Sequence, residues 1–146
     1  MSKLRICGHY NRVMFVRWEK RKRGKTRWGK FREESPVLIA RLVESYRVDG
    51  SSRHRTIAYL GSIREESLKK NYVVSFWLDA WIKVQALNLE SEDDIVHKIS
   101  KTVPVPTLEQ IQSNIGVMVG YGISIDRQKY ESLGNMVLSY HQKNNS

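Results

Sequence analysis

The stretch VLIARLVESYRVDGSSRHRTIAYLGSI, residues 37–63, decides the fold. Val37 to Val48 is rich in β-branched and aliphatic side chains and reads as a strand. Asp49-Gly50 supplies the two left-handed positions of a tight hairpin turn. Arg53 to Ile63 reads as the return strand. A two-residue turn sets Glu44 opposite Arg55, Leu42 opposite Ile57 and Ala40 opposite Tyr59. The other face then pairs Val43 with Thr56 and Ile39 with Leu60. A longer loop over Asp49–Ser52 would set the Glu44 carboxylate against Ile57, so charge pairing selects the shorter turn.

Upstream of Pro36 the sequence again alternates with period 2. Val13 and Phe15 fall on one face, and Met14, Val16 and Trp18 on the other. Gly24 suits the left-handed position of a three-residue loop after Lys22-Arg23. That loop predicts a first hairpin with Arg21 facing Lys25, Lys20 facing Thr26, Trp18 facing Trp28 and Phe15 facing Phe31.

Downstream, at about residue 64, the period changes. From Leu68, apolar residues recur at Tyr72, Val73, Phe76, Trp77, Ala80, Trp81, Val84 and Leu87, in steps of three and four. This predicts an amphipathic helix whose aromatic stripe covers the sheet. Ser91 with Asp94 opens a second helix, running to about Lys101 and stopping before Pro104. Thr107 with Gln110 is a capping box for a short helix through Ile115, after which Gly116, Gly120 and Gly122 loosen the chain. Asp126 to Tyr140 predicts a last helix with Tyr130, Leu133, Met136, Val137 and Tyr140 on one side, and a frayed tail from His141. The expected class is α+β: an N-terminal antiparallel sheet of two hairpins, packed by an amphipathic helix and followed by a small helical C-terminal part. The expected division is residues 1–89, sheet plus covering helix, and 90–146, a helical subdomain.

Charge is unevenly spread along the 146 residues. Lys plus Arg number 25 against 15 Asp plus Glu, a formal net charge of +10. The excess lies wholly in residues 1–70, with the densest cluster between Arg17 and Arg32, opposed only by Glu19. Such an asymmetry marks a surface for a polyanion, and nucleic acid is the common one inside a cell. A basic run can also be a solvated face that aids solubility. Here Trp18, Trp28 and Phe31 interrupt the run and can pack on bases or sugars, which favours nucleic acid. The candidate contact residues are Arg17, Lys20, Arg21, Lys22, Arg23, Lys25, Arg27 and Lys30, extended by Arg47, Arg53 and Arg55. Tyr46 is placed to stack beside them, His54 is read as an exposed strand residue, and Tyr59 is expected to pack below the helix.

Other chemistry has little support. Cys7 is the single cysteine, so neither a disulfide framework nor a Cys-rich zinc site fits one chain. His9, His54, His97 and His141 lack metal-ligand spacing, and there is no phosphate loop or nucleophile elbow. Glu65-Glu66 and Asp93-Asp94 suit helix starts rather than a two-metal centre. No apolar run reaches membrane-spanning length, and the N-terminus carries no apolar signal core. The expectation is a cytoplasmic, non-enzymatic protein that needs no cofactor and no membrane.

Residues 42–63, LVESYRVDGSSRHRTIAYLGSI, resemble the N-terminal segment of bacterial DDE-type insertion-sequence transposases. There a strand ending in a Val-Glu-Ser-Tyr-Arg-like run turns at a polar glycine and returns through basic residues to a Tyr-Leu-Gly-like end. The resemblance implies a mobile-element or phage-like origin and contact with DNA. Only Arg47, Arg53 and Arg55 match its basic positions. Strand transfer is not carried over, because the chain is too short for the catalytic domain. At the level of architecture alone, integrase arm-binding and AP2-like domains also lay a helix-backed sheet into a groove.

Two functions compete. The first is a nucleic-acid-binding protein, with DNA favoured over RNA, gripping phosphates through the basic hairpin face. The second is a small accessory or inhibitor protein that docks on a nucleoprotein complex through protein–protein contacts.

Overall fold

A computed structural model describes residues 13–22, 36–68, 72–89 and 92–144. In chain order these form β1 (Val13–Arg21), β2 (Val37–Val48), β3 (Ser51–Arg64), a 3-10 turn (Glu65–Ser67), α1 (Tyr72–Leu87), α2 (Glu92–Ser100), α3 (Leu108–Gly120) and α4 (Arg127–Asn144). The sheet is antiparallel, with order β1-β2-β3. The molecule is therefore an α+β mix, but its described sheet has three strands rather than two separate hairpins. β1 pairs directly with β2, from Val13 opposite Ser45 to Arg21 opposite Val37. The expected return strand carrying Trp28 and Phe31 lies outside the described residues.

The β2–β3 turn forms as the sequence predicts. Asp49 and Gly50 take φ of 51° and 80°, the left-handed pair that matches the twist of a hairpin. From this turn the expected register holds through Glu44 opposite Arg55 and Val43 opposite Thr56. It then shifts twice, because β3 inserts an extra residue at Ile57 and again at Leu60. Leu42 consequently faces Ala58 rather than Ile57. Ala40 faces Gly61 rather than Tyr59, and Ile39 faces Ser62 rather than Leu60. A bulged residue escapes strict alternation, which lets Leu60 join the buried cluster while Gly61 and Ile63 also serve it.

The inner face of the sheet carries Met14, Val16 and Trp18 of β1, opposite Glu44, Leu42 and Ala40. α1 packs against the sheet, burying Val73, Val74, Phe76, Trp77, Ala80, Trp81 and Val84, and the Trp81 indole donates to the Ser132 hydroxyl of α4. Phe76 stacks on Trp18 with ring centroids 6.0 Å apart. The indole of fully buried Trp77 donates to the Pro104 carbonyl at 2.9 Å, so its one polar atom is satisfied. Tyr72, expected in the stripe, is instead 61% exposed, at the first turn of α1. Tyr59 is also exposed; the ammonium of Lys83 sits 4.6 Å from its ring centroid.

The helical part shares the same hydrophobic cluster, which takes in Ile95 and Ile99 of α2, Ile111 of α3, and Leu133 and Val137 of α4. The capping box forms, with the Thr107 hydroxyl accepting from Gln110 N and the Gln110 side chain accepting from Thr107 N. α3 continues through Gly116 to Gly120 instead of ending at Ile115. Gly116 has open space where a Cβ would stand, so it is only a weak helix former here and not a breaker. Asp126 caps α4 by accepting from the amides of Gln128 and Lys129, and α4 runs on through His141 to Asn144. His141 Nε2 lies 3.1 Å from the Pro106 carbonyl, tying down a tail expected to fray. Among the described residues no helix is long and apolar enough to cross a membrane.

Two glycines should respond with opposite signs. Gly61 has φ of 157°, and a Cβ there would sit 3.3 Å from the Phe76 ring. Gly61→Ala should therefore destabilise the fold by about 1–3 kcal/mol. Gly116→Ala should stabilise it by up to about 1 kcal/mol. Urea denaturation measures both; shifts of the same sign would contradict the packing described.

Candidate nucleic-acid interface

Among the described residues, the sheet is covered by α1 at one end and uncovered at the other. All six residues from Ser51 to Thr56 are exposed, as are Arg47, Asp49 and Gly50. β2 and β3 continue past Ser45, the last residue paired with the described part of β1, for three residues each. At about 3.3 Å per residue this is, among the described residues, a two-stranded ribbon extending roughly 10 Å beyond β1.

Register assigns the ribbon's basic side chains to faces. Arg53 and Arg55 oppose Tyr46 and Glu44 and so share the inner face. Arg47 opposes Ser52 and lies on the outer face with His54, which opposes Ser45. His54 is exposed, as expected, and meets Phe15 edge-on at 5.7 Å.

Arg55 stands apart from its neighbours. Its Nη2 donates to Glu44 Oε1, and the two groups form an ion pair. The Glu44 side chain is only 1% exposed, whereas that of Arg55 is 57% exposed. The guanidinium carbon also lies 5.9 Å from the Tyr46 ring centroid, within cation–π range. A buried carboxylate and an aromatic ring thus hold a guanidinium that still faces solvent.

The β1 cations form a second group, toward the other end of the sheet. Arg21 opposes Val37, ten residues along β2 from Arg47, or about 33 Å at strand rise. Arg17 lies directly opposite Arg41, an unfavourable like-charge pair in isolation. Glu19 relieves it, accepting from both Arg21 Nε, at 2.9 Å, and Arg41 Nη1. Lys20 pairs with Glu65 at 3.0 Å. Among the described residues, Arg17, Lys22, Arg47 and Arg53 are exposed and in no ion pair. Arg23, Lys25, Arg27 and Lys30 lie outside the described residues. Sequence reasoning missed the role of Arg41, because a β1 partnered within its own hairpin hides the β1–β2 register that brings Arg41 to Glu19.

Residues 37–92 match the family model for the IS1634 family transposase, N-terminal domain. The match bears out the resemblance read from residues 42–63 and extends it through the 3-10 turn and all of α1. It covers well under half of the chain, and it contains the whole β2–β3 ribbon, while β1, α3 and α4 fall outside it. The chain matches no curated protein and no solved structure.

Hydrogen bonding from Arg21, then from Arg41, holds the Glu19 carboxyl below its ordinary value of 4.5. A carboxylate with a depressed folded pKa contributes stability above its unfolded pKa and loses it as pH falls through the folded one. The melting temperature of wild type should therefore fall more steeply below about pH 4.5 than that of Glu19→Gln. Parallel curves would contradict the bridging role.

Proposed function

We propose that this chain is a non-enzymatic, transposase-like module that binds DNA, with the β2–β3 ribbon as its principal contact. The observation that carries this reading is the exposed end of the ribbon. It holds exposed Arg47 and Arg53 and the pinned Arg55, and Asp49 at the turn is its single exposed carboxylate. A projecting pair of strands of this kind fits the major groove of a duplex. Arg47 and Arg53 grip phosphates there, and Arg17 and Lys22 supply further cations along β1. Tyr46 offers a ring for contact with a sugar or base. The match of the ribbon to a transposase N-terminal domain supports DNA as the polyanion, because transposases act on DNA.

The accessory-protein reading has one observation of its own. Val117, Val119, Tyr121 and Ile123 are large and exposed, within a stretch from Gln110 to Ile125 that carries no charge. Neutral apolar surface suits a protein contact better than a phosphate backbone.

Phosphate contact releases counterions, so affinity for duplex DNA should drop steeply with salt. Arg47→Ala and Arg53→Ala should each lower the slope of log affinity against log salt by about 1, with unchanged melting temperature. Filter binding at several ionic strengths, with duplex, single-stranded DNA and RNA hairpins as competitors, measures this. Salt-independent binding, or stronger binding to RNA, would overturn the proposal.

A further inference from the structure

We infer that Arg55 is the base-reading residue of the ribbon and that it selects a guanine in duplex DNA, an inference that rests on the DNA-binding reading above. Arg53 and Arg55 share a face of the ribbon but differ in how they are held. Arg53 is exposed and in no ion pair among the described residues, so its guanidinium can follow a phosphate wherever the backbone runs. Arg55 is fixed by the Glu44 carboxylate at its Nη2 end and flanked by the Tyr46 ring.

Phosphate binding does not require such fixation. A phosphate offers several acceptor oxygens and tolerates many approaches. Bidentate recognition of guanine does require it, because O6 and N7 present two acceptors in one plane, and the guanidinium must meet them in that plane. Holding the side chain beforehand lowers the ordering cost of the contact and makes it selective. A guanidinium carries five N–H donors, so the Glu44 contact leaves donors for a base edge. Burying a carboxylate is costly unless it is paired, and the Glu44 side chain, 1% exposed, is a fixed anchor for a guanidinium that is itself 57% exposed. Glu44 and Tyr46 act through Arg55 and are positioning residues.

The test selects duplexes from a randomised pool with the full chain, then measures binding to the selected duplex and to its single-base-pair variants. Wild type should prefer a G·C pair at one position by about tenfold to a hundredfold. Arg55→Lys keeps a cation for Glu44 and preserves folding, but lacks the planar fork. Its affinity for the selected duplex should fall by about tenfold to a hundredfold, down to the level of the single-base-pair variants at that position, with the salt slope unchanged. Tyr46→Leu leaves the buried ion pair intact and should weaken the same preference several-fold; it carries the test if Arg55→Lys melts early. Duplex binding without any preferred base, or a preference that survives both substitutions, would overturn this inference and leave the DNA-binding reading standing. No duplex binding by wild type would overturn both.

Discussion

The two-residue turn at Asp49-Gly50 is the constraint on which the rest of the structure depends. Side chains alternate along a strand, so a slip of one residue would exchange the faces of β2 and β3. With the observed turn, Leu42 and Ala40 face α1, and Glu44 meets Arg55 on the same side. Asp49 and Gly50 hold that register from the tip, since both adopt positive φ. The bulges at Ile57 and Leu60 then adjust it where the helix lands, placing Gly61 under the Phe76 ring. Turn, bulges and glycine are local features with one shared outcome: a surface that receives Phe76.

That arrangement gives one sheet two different ends. Toward Gly61 and Ile63 the inner face is roofed by α1 and is apolar. From Glu44 toward the turn no described helix covers it, and the same face carries the exposed Arg55 and Arg53. Glu44 marks the boundary between the two, as a buried carboxylate whose partner reaches into solvent. On the proposed reading, core packing and DNA contact use the same pair of strands and meet at the Glu44–Arg55 pair. The helical part, with a near-neutral balance of charge, completes the core from the other side of α1 and adds no further cluster of cations.

Much of this is legible from residues alone, because it follows from local signals. The Asp49-Gly50 turn, the shared face of Met14, Val16 and Trp18, the three-and-four spacing of α1 and the Thr107–Gln110 cap are each set within a few positions. What escapes the sequence is set by neighbours distant in the chain. The bulges lie in the strand that α1 packs against, and strict alternation gives no sign of them. The turn at Gly24 and its return strand lie outside the described residues, and the nine-residue pairing of β1 with β2 has no local signal in the sequence. The persistence of α3 through Gly116 and of α4 through His141 likewise reflects tertiary support that outweighs weak local propensity. At the candidate interface, the Glu44–Arg55 pairing can be read from register, but the burial that turns Glu44 into a clamp cannot.

The central claim is that the uncovered end of the β2–β3 hairpin is where the protein meets duplex DNA. Backbone amide NMR during titration with a duplex tests it most directly. The account expects the largest shift changes between Glu44 and Thr56, with α3 and α4 nearly silent. Changes concentrated on α3 or α4, with the hairpin end unmoved, would contradict it.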